Sequence, residues 1–317
     1  MAWPERHVSI LSFVTALCLA LSFGHAAART ILVGPHRELK LPSEAAKVAA
    51  DGDTVVIDPK KGGYDDCAIW TQSGLTIEGR SGGVALVHAI CDGKAIFVID
   101  GRDTTIRNLT FARARTRSGN GAGIRQEGAN LRVEDSRFID DEDGILAASD
   151  PTSAITIANS TFIGDGACVQ DEGCGHGIYV NVVGLLHVEH SVFRDTRHGH
   201  HIKSRALRTE ILDNVISDGP AGNSSYLIDI PNGGAVTISG NRLEKGPRSE
   251  NHTCAIAIGF EGERNPTPAI VVSGNSFTND MTTRTIFLKN ETTTPARLIR
   301  NVMKGDVDLF YGAGSAS

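Results

Sequence analysis

The segment GHHIKSRALRTEILDNVI, from Gly199 to Ile216, overlaps the densest cluster of basic and titratable side chains in this chain. Residues 194–208 hold five Arg and Lys residues and three His residues, against Asp195 alone. The cluster consists of Arg194, Arg197, His198, His200, His201, Lys203, Arg205 and Arg208. The formal net charge of the chain is -6 at pH 7, so a local positive patch predicts an anionic ligand, whereas the overall charge gives no reason to expect nucleic acid.

Three similar strand segments, HGIYVN, HHIKSR and YLIDIPN, align around this cluster. In each of them alternation points apolar or small residues inward and sends Tyr179, Lys203 and Asp229 outward. Neighbouring strands lie about 4.8 Å apart, so we expect these three side chains to form one outward column. Arg205 and Asn181 form the adjacent outward column. Further candidates for contact with a ligand lie at the ends of the same strands: His176, His200, His201 and Asn232.

These residue types suit proton chemistry on an acidic sugar. Cleavage of a uronate chain by β-elimination needs a cation for the carboxylate, a base for the acidified C5 proton and an acid for the leaving oxygen. Arg205 can hold a carboxylate through two N–H donors. Lys203 can act as the base if neighbouring cations favour loss of its proton, and Tyr179 or His200 can serve as the acid. A C5-epimerase would use nearly the same groups and return the proton from the opposite face.

Three other interpretations remain open. A glycoside hydrolase needs two carboxylates that bracket a bond, and Asp229 has only the distant Glu261 and Asp171 as partners, so hydrolysis ranks lower. A non-catalytic protein could use the same patch to hold an anionic glycan. In a purely structural protein, Lys203 and Asp229 would form a surface salt bridge worth about 0–1 kcal/mol.

Acidic residues at 140–143 raise the question of a metal. Clustered carboxylate oxygens can bind Ca²⁺, so calcium is an alternative that the sequence leaves open. The spacing does not match an EF-hand loop, and a solvated acidic turn is the preferred interpretation. No cofactor is otherwise indicated.

Short apolar strands recur along the chain, and these are the elements that must position the candidate site. Each repeat has a small polar residue followed two places later by a large apolar one. The polar positions are Ser136, Ser160, Ser191, Asn214, Asn241, Asn275 and Asn301. The irregular spacing, roughly 23 to 34 residues, is typical of a solenoid, and the alternating flanks indicate strands. We therefore expect a ladder of stacked Asn and Ser side chains, with a column of large apolar side chains inside.

The N-terminal part of the repeat region carries a second signal. Residues 42–50, PSEAAKVAA, predict a short helix that caps the open end of the stack, before the strand Thr54–Ile57. This opening and the repeats resemble the right-handed parallel β-helix proteins of the pectate-lyase-like superfamily, from about residue 30 to residue 310. The resemblance implies an all-β right-handed parallel β-helix with a short N-terminal capping helix. It is preferred over a β-sandwich or a propeller.

The resemblance also bears on function. Polysaccharide lyases of this superfamily recurrently use a Lys or Arg base, with Arg or calcium neutralising the carboxylate, but their full signatures are absent here. The strings GHHIKSRA, IDIPNGG and GFEG resemble a group of exported bacterial β-helix proteins. That resemblance supplies no substrate, and the fold itself hosts lyases, epimerases, hydrolases and inert proteins.

The first 28 residues are not expected to belong to the fold. Arg6 and His7 precede an apolar run from 8 to 23, and Ala26, Ala27 and Ala28 offer a cleavage site. This pattern predicts a secretory signal peptide that is cleaved before Arg29. We expect a single β-helix domain over residues 29–317, without a membrane span, exported to the periplasm or the extracellular space as a monomer.

Export favours disulfides, and five cysteines follow the predicted leader. Cys168 and Cys174 close a small loop and are predicted to be bridged. Cys67 and Cys91 lie about one coil apart and could also pair. Cys254 is left over and is interpreted as a buried free thiol. The sequence thus favours an exported β-helix protein that acts on an acidic polysaccharide as a lyase or epimerase, with a carbohydrate-binding or surface protein as the alternative.

Overall fold

The computed structural model describes residues 28–81, 83–170 and 173–317, together with Met1. The chain is an all-β protein with the architecture of a right-handed parallel β-helix, which confirms the fold predicted from the repeats. The predicted signal peptide, apart from Met1 and Ala28, lies outside the described residues. No helix among those described has the length and apolar character needed to cross a membrane.

Successive coils stack their strands into three parallel sheets, which contain twelve, nine and ten strands over the described residues. The first sheet is formed by β1 (Thr30–Val33), β2 (Thr54–Ile57), β4 (Thr76–Gly79), β7 (Arg102–Arg107), β10 (Ala129–Glu134), β13 (Asp150–Ala158), β18 (Val183–Glu189), β21 (Arg208–Leu212), β24 (Ala235–Ser239), β27 (Ile270–Ser273), β30 (Ala296–Ile299) and β33 (Gly314–Ala316). The second sheet is formed by β5 (Ala85–Val87), β8 (Thr110–Ala112), β11 (Arg137–Ile139), β14 (Thr161–Ile163), β19 (Val192–Arg194), β22 (Val215–Ser217), β25 (Arg242–Lys245), β28 (Ser276–Asn279) and β31 (Val302–Lys304). The third sheet is formed by β3 (Ala68–Trp70), β6 (Ala95–Ile99), β9 (Ala122–Gln126), β12 (Asp143–Ala147), β17 (Ile178–Val180), β20 (His200–Ser204), β23 (Tyr226–Ile230), β26 (Cys254–Ile258), β29 (Thr285–Asn290) and β32 (Val307–Gly312). A small antiparallel hairpin, β15 (Cys168–Val169) and β16 (Gly173–Cys174), projects from one loop.

The predicted ladder runs along the corner between the first and second sheets. The backbone N–H of Ser191 donates to Asn214 Oδ1 at 2.8 Å, and the N–H of Asn214 donates to Asn241 Oδ1 at 2.9 Å. The same bond links the other members from Ser136 to Asn301. Inside the coil, four phenylalanine rings stack with centroids 4.5–5.3 Å apart: Phe111, Phe138, Phe162 and Phe193. Ladder and stack fix the rotation of each coil, and thereby the positions of outward side chains on all three sheets.

The capping helix α1 (Pro42–Val48) covers the N-terminal end of the stack, two residues shorter than predicted. Ala49 is already extended, with φ -64° and ψ 149°, although its N–H still donates to Ala45 O. The next residue, Ala50, donates its N–H to Asp53 Oδ2 at 2.9 Å, which draws the chain into a turn instead of continuing the helix. Ala45 and Ala46 bury the inner face of the helix against the first coil.

The acidic turn at 140–143 was expected to be solvated, and this expectation is wrong, because Asp141, Glu142 and Asp143 are buried. Loops between the second and third sheets stack on one another, so carboxylates of one loop accept backbone N–H groups of the next. Asp141 Oδ1 accepts from Ala114 N at 2.7 Å, and Asp165 Oδ1 accepts from Asp141 N at 3.0 Å. Within the described ranges, no group of three or more His, Cys, Asp or Glu side chains is arranged to hold a metal ion.

Asp141 and Asp165 lead to a prediction about stability. Burial raises the pKa of Asp141 to about 8 and that of Asp165 well above its usual value, and neither Oδ2 has a hydrogen-bond partner among the described residues. Since the folded protein holds a proton that the unfolded chain releases, stability is retained at low pH and lost as the pH rises. For Asp141 alone we expect a loss of up to about 1.4 kcal/mol per pH unit between roughly pH 4 and pH 8.

The substitution Asp141→Asn imitates the protonated acid, so it should flatten this part of the pH profile of the free energy of unfolding. The exposed Asp280→Asn substitution is the control and should leave the profile unchanged. Urea unfolding at several pH values measures the free energy of unfolding of both variants and of the natural protein. An Asp141→Asn protein with the same pH dependence as the natural one would show that Asp141 is ionised in the folded state.

Candidate functional site

The third sheet aligns the predicted outward column. Tyr179 on β17 pairs with Lys203 on β20, and Lys203 pairs with Asp229 on β23. The residues on either side, such as Ile202 and Ile228, are fully buried in the coil. Tyr179, Lys203 and Asp229 therefore project from one face of three consecutive strands, in the arrangement that alternation predicts.

Lys203 occupies the centre of the site, between two carboxylates. Its Nζ lies 3.5 Å from Asp229 Oδ2 and 3.3 Å from Glu261 Oε1. The Asp229 side chain is only 5% exposed, and this burial raises its pKa to about 6 in spite of the ammonium group nearby. Asp229 is thus a carboxyl group that exchanges its proton close to physiological pH.

Arg205 lies beside Lys203, and all three nitrogen atoms of its guanidinium donate hydrogen bonds. Nε donates to Tyr179 Oη at 3.1 Å, and Nη1 donates to Asn232 Oδ1 at 2.7 Å. Nη1 and Nη2 also bind the two carboxylate oxygens of Glu261 at 2.6 and 2.9 Å. Arg205 and Lys203 therefore hold one carboxylate between them, and the hydrogen bond from Arg205 lowers the pKa of Glu261.

Glu261 was expected to be distant from the column, and this expectation is wrong. It belongs to the loop Gly259–Gly262, in which Gly259 and Gly262 have φ of 83° and 93°. These left-handed glycines turn the chain back over β20, which strand alternation alone cannot reveal. In the sequence, the GFEG string indicates that the chain turns here. It does not indicate in which direction the turn carries Glu261. The other distant carboxylate, Asp171, lies outside the described residues.

Two histidines form a stack next to Asp229. The rings of His176 and His200 are 4.9 Å apart and nearly parallel, and Tyr226 stacks on His200 at 5.1 Å. The N–H of His200 donates to His176 Nδ1 at 3.0 Å, and the N–H of Tyr226 donates to His200 Nδ1 at 3.1 Å. Burial lowers the pKa of both imidazoles well below the usual value. Each ring is therefore neutral with its proton on Nε2, and His200 Nε2 lies 3.4 Å from Asp229 Oδ2.

His201 does not share this face. Its ring is fully buried, with Nε2 at 2.9 Å from Asp218 Oδ1 and Nδ1 at 2.7 Å from Thr196 Oγ1. Consecutive histidines thus point to opposite sides of the strand, and only His200 reaches the surface cluster. The expectation that His201 contacts a ligand is not met in this structure, because protein covers the whole ring.

The two asparagines predicted to contact a ligand, Asn181 and Asn232, also differ in whether they contact the cluster. Asn232 is buried and orients Arg205 through its Oδ1 atom, which accepts from Arg205 Nη1. Asn181 is half-buried, and its Nδ2 donates to Ala147 O at 2.9 Å, where it secures the strand corner. Asn232 therefore belongs to the cluster, whereas Asn181 lies on its border.

The positive patch suggested by the sequence is divided among the faces of the coil. Arg208 pairs with Glu210 on the first sheet, Arg197 pairs with Asp140, and Arg194 lies on the second sheet. Of the eight cationic and histidine side chains at 194–208, only His200, Lys203 and Arg205 lie together in the candidate site. Linear clustering over 15 residues spans most of one coil, so it cannot place side chains on one surface.

A cavity of about 520 Å³ opens above this cluster, over His176, Tyr179, His200 and Lys203. Gly173, Cys174, Gly199, Ser225 and Glu250 complete its wall. Glu250 pairs with His198 and accepts from Asn223 Nδ2 at 2.8 Å; it was missed because it lies on a loop without a repeat pattern. A larger cavity of about 750 Å³ lies on the second sheet, near Arg242, and contains none of the predicted site residues.

Four of the five cysteines that follow the predicted leader form two disulfides. Cys168 and Cys174 are disulfide-bonded at the base of the β15–β16 hairpin, and Cys174 lines the cavity. Cys67 and Cys91 are bonded near the N-terminal end. Cys254 is a buried free thiol, and burial raises its pKa to about 12.

Comparisons with known proteins concern the fold. The family described as right handed beta helix region matches residues 65–243. Similar solved structures include the A-module of the mannuronan C-5 epimerase AlgE4 of Azotobacter vinelandii, at 13% identity over 87% of this chain and 93% of that chain, with a TM-score of 0.39. An alginate lyase from Paenibacillus sp. str. FPU-7 shares 15% identity over 90% and 99%, with a TM-score of 0.37. A pectin methylesterase mutant in complex with a hexasaccharide shares 11% over 89% and 81%, with a TM-score of 0.28. No curated protein matches this chain.

Proposed function

Because this chain belongs to the right-handed β-helix family, which by itself specifies no activity, we propose a function from its site: proton chemistry at C5 of a uronate in an acidic polysaccharide, as a lyase or a C5-epimerase. The protein would be exported and would meet its substrate outside the cytoplasm. The substrate would lie in the cavity over Tyr179 and Lys203, next to the Asp229 that Lys203 contacts.

The observation that carries this proposal is the carboxylate of Glu261 between Arg205 and Lys203. Two N–H donors of Arg205 grip both of its oxygens, and Lys203 Nζ approaches one of them at 3.3 Å. Such a fork is the geometry by which arginine recognises carboxylates. We propose that a uronate carboxylate takes the place of Glu261, whose side chain is 40% exposed on a glycine-flanked loop.

The remaining groups then have distinct roles. With its carboxylate neutralised by Arg205, the uronate has a more acidic C5–H, and Lys203 takes that proton. Before this step Lys203 passes one proton of its ammonium group to Asp229, whose Oδ2 lies 3.5 Å from Nζ and whose pKa is about 6, and the resulting amine is the base. Asp229 releases that proton to solvent after the turnover. In the lyase, the C5–H electron pair forms the C4–C5 double bond as the C4–O bond breaks, and Tyr179 protonates the leaving oxygen. In the epimerase, Tyr179 returns a proton to C5 from the opposite face.

Tyr179 suits the role of acid better than His200, its alternative. The phenol oxygen already accepts from Arg205 Nε, so its own O–H is free to be directed at the leaving oxygen of the substrate. His200 is neutral, with Nε2–H as its outer group, so we propose that it and His176 donate hydrogen bonds to the sugar. Asn232 contributes by holding Arg205.

A second candidate function is non-catalytic binding of an acidic glycan, and an aromatic strip favours it. Tyr226 contacts the edge of Phe260 at 5.6 Å, and Lys289 lies over the rings of Phe260 and Tyr311 at 4.8 and 5.3 Å. Sugar rings can pack on such a strip while the cations hold their carboxylates. This function would need no proton transfer.

A direct assay separates the two functions. Purified protein is incubated with polygalacturonate, polymannuronate and polyguluronate, and ultraviolet absorbance reports the unsaturated uronate formed by elimination. Deuterium exchange at C5 in D₂O reports epimerase chemistry. Either signal would support proton chemistry, whereas binding without either signal would leave only the carbohydrate-binding function.

Glu261→Gln gives a further prediction. The amide keeps the shape of the loop but lacks the charge that competes with the substrate, so KM for a polyuronate should fall about tenfold, equivalent to about 1.4 kcal/mol. Glu263→Gln is the matched control, since Glu263 lies two residues away and bonds Thr293 instead. A higher KM for Glu261→Gln would mean that Glu261 positions Arg205 and is not displaced.

A further inference from the structure

Asp53 is a carboxylate with 1% exposure at the N-terminal end of the β-helix. Its Oδ1 accepts the backbone N–H of Arg29 at 2.8 Å. Its Oδ2 accepts Arg29 Nη2 at 2.7 Å and the N–H of Ala50 at 2.9 Å. The hydrogen bond from the Arg29 side chain is the main cause of an Asp53 pKa near 2, so Asp53 is ionised over the whole range in which the protein would work.

Arg29 joins the three elements that close this end of the coil. It precedes β1, and its carbonyl accepts the N–H of Thr54 at the start of β2 at 2.8 Å. Its Nη2 also donates to the carbonyl of Val48, the last residue of α1, at 2.9 Å. Asp53 is therefore the point at which the strand, the capping helix and the first residue of the stack meet.

The predicted signal-peptide cleavage falls on the peptide bond just before Arg29. Cleavage between Ala28 and Arg29 converts the backbone N–H of Arg29 into an α-ammonium group at the same nitrogen, 2.8 Å from an ionised carboxylate. We propose that Asp53 is the receptor for the α-ammonium group that processing releases at Arg29. A hydrogen bond from a neutral N–H to an ionised carboxylate then becomes an ion pair between opposite charges at the same distance, so removal of the leader strengthens the N-terminal cap.

This proposal does not depend on the activity proposed above, and it has a distinct pH signature. The carboxylate stabilises the ammonium form, so the pKa of the α-amino group in the folded protein lies above its ordinary value of about 8. The resulting stability is present in full below about pH 8 and is lost as the pH rises through the raised pKa. The charged groups that face this nitrogen are Asp53 and the Arg29 guanidinium, while Asp51, on the same turn, is engaged with the N–H of Ser73.

The test uses the full chain with its leader, expressed in a bacterium that exports it. Mass spectrometry of the exported protein is expected to show Arg29 as the first residue. Selective acetylation of the α-amine, which removes only the charge, should lower Tm by roughly 2–4 °C at pH 6 and have no effect near pH 10. Asp53→Asn should remove the effect of acetylation, and Asp51→Asn, the matched control on the same turn, should keep it.

Two results would overturn the proposal: a first residue other than Arg29, or equal Tm at pH 6 before and after acetylation. The acetylation experiment needs no variant, so it decides the matter even if Asp53→Asn fails to fold. An acetylation effect that persists in a folded Asp53→Asn protein would assign the ammonium group to another partner and would also overturn it.

Discussion

Replacing Lys203 with methionine is expected to lower kcat for uronate elimination or epimerisation by about 10³-fold, the contribution typical of a positioned general base. Methionine keeps most of the length of the Lys203 side chain, whose Nζ lies 5.6 Å from the centroid of the Tyr179 ring, so the shape of the site is preserved. Asp229 then loses its cation, and because its pKa is already about 6, it takes up a proton instead of remaining as an unpaired buried charge. The loss should therefore appear in kcat and not in folding.

Lys289→Met is the matched control. Lys289 belongs to the same outward column, since Asp229 pairs with Ala257 and Ala257 with Lys289, and it pairs with Glu291 in place of Asp229. This variant should keep kcat within a small factor, with any effect confined to KM. A Lys203→Met protein that turns over at the natural rate would remove Lys203 as the base, and Asp229 would become the remaining candidate in the column.

The repeating part of the molecule could be predicted from the sequence because its forces are local and periodic. Ser191, Asn214 and Asn241 occupy the same phase of successive repeats, and each bonds the backbone of its neighbour. The same period-two alternation that buries Ile202 and Ile228 directs Lys203 and Asp229 outward. One pattern therefore predicted both the core and the column of the candidate site.

The non-repeating parts could not be predicted in this way. Glu261 reaches Arg205 because two glycines reverse the chain, and a linear pattern does not encode the direction of that reversal. His201 faces inward because Asp218 and Thr196 bind both of its ring nitrogens, partners that lie 17 and 5 residues away on loops. Strand patterns thus locate a site on a β-helix face, while the loops decide which charges meet there.

The loops beneath the site also contain a buried charged cluster. Asp218, His201 and Lys245 are all fully buried. Although burial opposes its ionisation, the hydrogen bond from His201 and the charge of Lys245 hold the pKa of Asp218 at about 2. Burial lowers the pKa of Lys245 to about 8, and its Nζ donates to Ser225 O at 2.7 Å. Ser225 borders the cavity, so this cluster connects the interior of the coil to the wall of the candidate site.

Replacing Asp218 with alanine is therefore expected to lower the free energy of unfolding by about 1–3 kcal/mol at pH 7, because the change leaves the buried His201 Nε2 without its acceptor and removes the carboxylate that favours the charged form of Lys245. Urea unfolding measures it, and the exposed Asp280→Ala control should stay within about 0.5 kcal/mol of the natural protein. The double variant Asp218→Ala with Lys245→Met should lose less than the sum of the two single losses, since each single change removes the same attraction between Asp218 and Lys245. Strictly additive losses would mean that Asp218 and Lys245 stabilise the protein independently, and that the cavity wall at Ser225 does not depend on this pair.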